Sequence, residues 1–141
     1  MTTRFPFGFL CFVSALVALI WVVGAAAHGP EESIGVEVTP LLATALAETP
    51  DRHASLVLVT LQPGGMSPPH RHPGTVIVYV LEGTVESALD DGASETFTAG
   101  ETWQERPGAL HRMSKNTGPS VAKLLALLIH GEGDPLTLHP H

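Results

Sequence analysis

Cysteine and positive charge are both scarce in this 141-residue chain. Cys11 is the only cysteine, and it lies in an apolar stretch near the N-terminus. Disulfide bonds therefore do not hold the fold together, and cysteine-ligated zinc and thiolate chemistry are excluded. Seven Lys and Arg stand against fourteen Asp and Glu, and they form no basic cluster. This balance argues against nucleic acid as a partner.

The first 27 residues have the layout of a secretory signal. Residues 1–4 carry one positive charge, residues 5–23 are almost entirely apolar, and residues 24–27 are small. We predict cleavage after Ala27 and export to the periplasm or the extracellular space. The apolar stretch is almost long enough to span a bilayer. An uncleaved anchor is therefore the alternative, and we expect membrane contact only in that case.

Short apolar runs separated by turn residues follow along the rest of the chain. Residues 75–81, for example, are followed by Glu82-Gly83. Runs of this length, divided by Gly, Pro and Asp, indicate an all-β sandwich or barrel. Residues 122–129 also have good helix propensity, but their all-β context favours a buried strand. The chain then divides into a signal or anchor (1–27), a lead-in with the first strands (28–53), a barrel (54–132) and a tail (133–141).

The sequence His70-Arg71-His72 carries the most chemical information. Residues two apart in a strand point to the same side, so both imidazoles would face the interior of a barrel. Neutral imidazole is a ligand for iron, nickel, copper and zinc. A His-x-His pair alone is weak evidence, because such pairs are common on protein surfaces.

Two stretches around these histidines resemble the paired motifs of the cupin superfamily. The motif positions that match are Gly65, His70, His72, Gly83, Gly100, Pro107, Gly108, His111 and Asn116. The resemblance covers about residues 56–129. It implies a single jelly-roll β-barrel, one metal ion at its centre bound by His70, His72 and His111, and frequently a homodimer.

The sequence departs from the family pattern at one ligand position. A glutamate is expected four residues after His72, but Val76 stands there, which should point inward and cannot bind a metal. In one interpretation three histidines hold the ion, and the remaining positions are open to water or substrate. In the other, Glu105 supplies the missing carboxylate, as a fourth ligand or as a base beside the metal. A carboxylate inside a closed barrel is costly without a partner, and a cation would be that partner.

These features predict an exported metal-binding protein that acts on or binds a small molecule. The ion would be a divalent metal, Fe, Mn, Ni or Zn, and the chemistry a dioxygenase-like oxidation or a Lewis-acid isomerisation. Whether the protein is an enzyme stays open at this point. The alternatives are a barrel that binds a small ligand without turning it over, and a degenerate barrel that binds no metal.

Overall fold

The computed structural model describes residues 33–140. The predicted signal segment and its cleavage site lie outside the described residues. Every regular element in the described part is a β-strand, which confirms the predicted all-β class. The strands are β1 (Ile34–Leu46), β2 (Thr49–Ser67), β3 (His70–Arg71), β4 (Thr75–Glu82), β5 (Thr84–Leu89), β6 (Glu95–Thr98), β7 (Thr102–Glu105), β8 (Leu110–Asn116) and β9 (Ala122–Gly131). Within this range we find no helix with the length and apolar character of a membrane span.

Antiparallel pairing arranges the strands as two runs that enclose the core. One run is β1-β2-β9-β4-β7, and the other is β6-β5-β8-β3. The long strand β2 joins them, because residues 52–61 pair with β9 while Met66 and Ser67 pair with β8. The result is the jelly-roll barrel expected from the sequence, with its interior between the two runs.

Alternation of side chains along the strands explains where the core lies. In β9 every second residue is buried from Ala122 to His130, which is the period of a strand and not of a helix. The prediction of a strand over residues 122–129 is therefore confirmed. In β4 the inward valines at 76, 78 and 80 are buried, whereas Ile77 and Tyr79 on the outer face are exposed.

Strand register brings the candidate residues of the sequence analysis into one region. His70 in β3 lies directly opposite His111 in β8. Val76 in β4 lies directly opposite Glu105 in β7. Directly opposed residues of antiparallel strands share a face of the sheet, with Cβ atoms about 5 Å apart. Both pairs therefore face the barrel interior together.

Close backbone approach at Gly74 fixes the segment between His72 and β4. A Cβ atom at position 74 would overlap the carbonyl oxygen of Ile129 and lie 2.9 Å from the Cα atom of His130. These neighbours are backbone atoms of β9, a strand inside the sheet, so they cannot move aside without breaking strand pairing.

We expect Gly74→Ala to lower the free energy of unfolding by about 3 kcal/mol or more, since overpacking strains the backbone of β9. Gly100→Ala is the control, because a Cβ atom there has no neighbour within 4 Å and only the positive φ of 92° penalises it. Its cost should be about 1–2 kcal/mol. Urea titration followed by tryptophan fluorescence measures both. Equal midpoints for Gly74→Ala and the unmodified protein would contradict the packing argument.

Candidate metal centre

Three imidazoles converge at one point in the barrel interior. The Nε2 atoms of His70 and His72 are 3.1 Å apart, and the ring centroids of His70 and His111 are 4.9 Å apart. One ring nitrogen from each of the three residues lies within 4.8 Å of the other two. First-row metals bind imidazole nitrogen at about 2.0–2.1 Å, so nitrogens that share one ion are at most about 4.2 Å apart. Separations of up to 4.8 Å are close to that limit, and a small closure of the rings would bring all three onto one ion.

Backbone carbonyls fix the orientation of two of the rings. His70 Nδ1 lies 2.7 Å from the carbonyl oxygen of Pro68, and His72 Nδ1 contacts the carbonyl oxygen of Leu136. A carbonyl oxygen can only accept, so each Nδ1 must carry the proton. Both Nε2 atoms then present a lone pair toward the interior, which is the tautomer that binds a metal.

His111 is held between a hydroxyl and a carboxylate. It is 4% exposed, its Nε2 lies 2.9 Å from Ser87 Oγ, and its Nδ1 lies 3.2 Å from Glu105 Oε1. In one tautomer Nδ1 carries the proton and donates it to Glu105. In the other, Nε2 carries the proton and donates it to Ser87 Oγ, and the Nδ1 lone pair is available to a cation on the side of Glu105. In this second tautomer the ring offers a donor atom to the same point that His70 and His72 face.

Glu105 contributes a buried carboxylate with one oxygen still unsatisfied. The residue is 2% exposed. Its Oε1 accepts a hydrogen bond from the indole N–H of Trp103 at 3.0 Å. Its Oε2 lies 3.6 Å from His72 Nε2 and has no hydrogen-bond partner. Buried carboxylate oxygens are rarely left in this state, and a bound cation would satisfy it.

The protonation states of the cluster suit a cation. Burial opposes ionisation of Glu105, but its contacts with His111, Trp103 and His72 outweigh that effect, so the pKa of Glu105 lies below its usual value. Burial lowers the pKa of His70 to about 4, and the neighbouring His111 and His72 act in the same direction. Near neutral pH the cluster therefore combines an ionised carboxylate with a neutral His70.

Glu105 lies beside the position where the family pattern expects its glutamate. Val76 occupies that position and is buried with its side chain inward, as its parity predicted. It faces Glu105 across the β4–β7 ladder. The carboxylate thus enters the same part of the interior from the neighbouring strand. The three imidazoles form a donor set that suits a divalent first-row metal ion, and the Glu105 carboxylate lies beside them.

The C-terminal segment, residues 136–139, lies across this region. Arg71 and Leu138 exchange two backbone hydrogen bonds of 2.8 Å, and the Leu136 carbonyl accepts from His72. The Leu136 side chain also packs against the core. The segment is therefore hydrogen-bonded to Arg71 and His72.

Sequence reasoning missed the residues that orient the candidate ligands. Ser87 and Trp103 each contact a cluster residue, but nothing in their sequence neighbourhood identifies that contact. Trp103 precedes Glu105 by two, so strand parity could have placed both on the inner face. No sequence signal indicated that Leu136 returns to His72, because that contact depends on the path of the whole barrel.

The fold and the histidine cluster together define a small β-barrel with a candidate metal centre. The sequence model of the cupin domain matches residues 57–129, just over half of the chain. The chain belongs to the cupin family, which confirms the resemblance found in its motifs.

Named relatives extend the comparison to germin-like proteins. Germin-like protein subfamily 2 member 2 of Arabidopsis thaliana is 40% identical over 77 residues, which are 51% of this chain and 35% of that protein. Germin-like protein 5-1 of Oryza sativa subsp. japonica is 30% identical over 125 residues, which are 84% of this chain and 56% of that protein. The chain thus spans between about a third and just over half of the length of these relatives.

Solved structures of oxalate oxidase share the fold. One is 26% identical with a TM-score of 0.61, over 77% of this chain and 57% of that chain. Another, solved in complex with the substrate analogue glycolate, is 26% identical with a TM-score of 0.59, over 74% of this chain and 55% of that chain.

The contacts of the C-terminal segment predict its effect on metal binding. Removing residues 135–141 deletes the carbonyl that holds His72, so we expect metal affinity to fall about tenfold to a hundredfold, as for other residues that orient ligands. Isothermal titration with Zn²⁺ measures this loss. Removing only residues 140–141 is the control and should leave affinity unchanged.

Leu136→Ala separates orientation from packing, since it keeps the carbonyl and removes the apolar side chain. We expect it to lower the free energy of unfolding by about 1–2 kcal/mol while zinc affinity stays within twofold. A zinc affinity that falls as far in Leu136→Ala as in the long truncation would show that the segment acts through stability alone.

Proposed function

We propose that the protein is an exported oxidoreductase in which His70, His72, His111 and Glu105 hold one divalent metal ion. The observation that carries the proposal is the buried Oε2 atom of Glu105, which has no hydrogen-bond partner and lies 3.6 Å from Nε2 of His72, one of three convergent imidazoles. With three neutral ligands and one negative ligand, a divalent ion would keep open coordination positions and a net positive charge. Both features favour binding of a small substrate through an oxygen atom.

Oxidation is favoured by the relatives. Structures that share the fold at 26% identity are those of oxalate oxidase. Because this chain spans little more than half of those chains, what is proposed for it is oxidation of a small molecule at a metal ion, and the substrate is left to the site itself. The bound ion would supply Lewis acidity or electron transfer to substrate and O₂.

Other residues of the chain orient the candidate ligands and enclose the metal centre. Carbonyls of Pro68 and Leu136 hold two ligand rings in one tautomer, and Ser87 holds the third. Trp103 fixes the carboxylate through its indole N–H and also covers the cluster from the side of β7. The interior is thereby preorganised, so little rearrangement is needed when metal and substrate bind.

Metal content tests the site. The double variant His70→Ala/His72→Ala should lose stoichiometric metal by elemental analysis of protein purified from its native compartment. His139→Ala is the control, since His139 is exposed and outside the cluster. A double variant that keeps one equivalent of metal would show that the ion binds elsewhere.

An exchange of side chains tests the role of Glu105. Glu105→Val should reduce zinc affinity at least tenfold, since the one negative ligand is lost. Adding Val76→Glu should restore most of it, because positions 76 and 105 face each other across the ladder. Isothermal titration measures each variant. Glu105→Val with unchanged affinity would remove Glu105 from the ligands and leave it as a base beside a three-histidine ion.

Turnover tests the activity. Oxygen uptake by Mn²⁺- or Fe²⁺-loaded protein is measured against small carboxylic acids and phenols, with the double histidine variant as the blank. Consumption of O₂ above the blank supports the oxidoreductase. Binding of panel members without O₂ consumption would favour the alternative, a small-ligand-binding barrel.

Export and self-association complete the proposal. Export is supported by the charged, apolar and small-residue pattern of residues 1–27, and a mature N-terminus at His28, read by mass spectrometry, would test it.

A homodimer is supported by the exposed apolar outer face of β4, with Ile77 and Tyr79 each more than 40% exposed. Light scattering that finds only the monomer mass would remove the dimer.

A further inference from the structure

The interior cavity extends from the candidate metal centre into an apolar space. Its volume is about 180 Å³. An apolar protein cavity of about 150 Å³ can hold benzene, so this one has room for a ligand built on a single ring. The walls away from the cluster come from inward aliphatic residues of β1, β2, β4 and β9. They include Val36, Val57, Val59, Val78, Leu124 and Ala126.

Charge around the cavity is limited to the cluster and one outer histidine. Among the described residues that line it, the ionisable ones are Glu105, His70, His72, His111 and His139, and none is Lys or Arg. A divalent ion with the Glu105 carboxylate carries about one net positive charge. One anionic oxygen of a ligand neutralises it, whereas a second carboxylate would lie among aliphatic side chains without a partner, which is costly.

A second unsatisfied group faces the same cavity. Ser114 is 6% exposed, lines the cavity, and its Oγ has no hydrogen-bond partner. The neighbouring Ser67 Oγ accepts from the backbone N–H of Ser114 and makes no hydrogen bond with its hydroxyl. A buried hydroxyl without a partner has lost its hydrogen bonds to water and gained none in the protein, which costs free energy. A polar atom of a bound ligand could supply the missing partner.

A β-bulge brings Ser114 to the same face as His111. The two residues are three apart, so strict alternation would put them on opposite faces. In the β5–β8 ladder, Ala88 faces Met113 while Leu89 faces His111, which leaves Arg112 as the extra residue. The bulge resets the alternation, and both His111 and Ser114 are buried. Their separation along β8 is roughly 10 Å at most, about the length of a ring with a group at each end.

We infer that the substrate is a small, ring-sized molecule with one anionic metal-binding oxygen, an apolar body and a distal hydrogen-bonding group that pairs with Ser114. The inference rests on the proposed function, because the metal-binding end requires the ion. It assigns Ser114 as a residue that determines specificity, outside the ligand set.

The test measures binding without turnover, with zinc-loaded protein because zinc has no redox chemistry. Three probes are titrated calorimetrically: benzoate, 4-hydroxybenzoate and fumarate. Benzoate has the anionic end and the ring, 4-hydroxybenzoate adds the distal hydroxyl, and fumarate is a dianion of similar length. We expect 4-hydroxybenzoate to bind about threefold to tenfold more tightly than benzoate, and fumarate at least tenfold more weakly than benzoate.

Ser114→Ala should abolish the preference for 4-hydroxybenzoate and leave benzoate affinity within twofold. Ser120→Ala is the matched control, since Ser120 is exposed and only its backbone carbonyl is used, by Asn116. The unfolding midpoint of ligand-free Ser114→Ala should not fall, because its hydroxyl makes no internal hydrogen bond. A large fall would indicate a structural role and overturn the assignment of Ser114.

The outcomes separate this inference from the proposed function. Protein that takes up no stoichiometric zinc overturns both. Zinc-loaded protein that prefers fumarate, or that keeps its preference for 4-hydroxybenzoate after Ser114→Ala, overturns this inference and leaves the metal centre in place. Equal benzoate affinity with and without zinc would also overturn it, since the ligand would then not contact the ion.

Discussion

A carboxylate buried inside a barrel must be compensated, and the interior around Glu105 is organised by that requirement. One carboxylate oxygen accepts a hydrogen bond from the indole of Trp103 and contacts the ring of His111. The other lies near His72 and makes no hydrogen bond. A bound cation would satisfy the free carboxylate oxygen, and the rings that face it are held in place by Pro68, Leu136 and Ser87.

The barrel supplies this arrangement through strand register and one irregularity. Opposed positions in antiparallel strands share a face, which puts His70 with His111 and Val76 with Glu105. The same rule means that a carboxylate can enter one point of the interior from either of two adjacent strands. The family pattern uses the position of Val76, and this chain offers Glu105. The bulge at Arg112 then allows a histidine and a serine on one short strand to face the same cavity.

The candidate ligands are held by side chains on one side of the cluster and by backbone carbonyls on the other. Toward β5 and β7 the candidate ligands are held by side chains, Ser87 and Trp103. On the other side His70 and His72 are held by the backbone carbonyls of Pro68 and Leu136. Beyond the cluster the cavity is aliphatic, with one unsatisfied hydroxyl at Ser114. The polar groups that hold the metal ligands and the apolar space for the body of a bound molecule thus occupy separate parts of one interior. This arrangement is common in small-molecule sites.

The sequence by itself determined the all-β class, the family, the strand over residues 122–129 and the inward direction of Val76, because side-chain alternation and turn residues act over short distances. It also named the four residues that the structure brings together, although it left the place of Glu105 between two interpretations. Only the tertiary structure decided that Glu105 faces Val76, that Leu136 reaches His72, and that Ser114 shares a cavity with His111. Those contacts join residues from separate strands or depend on a bulge, and their register is set by how the whole sheet closes, which no local pattern encodes.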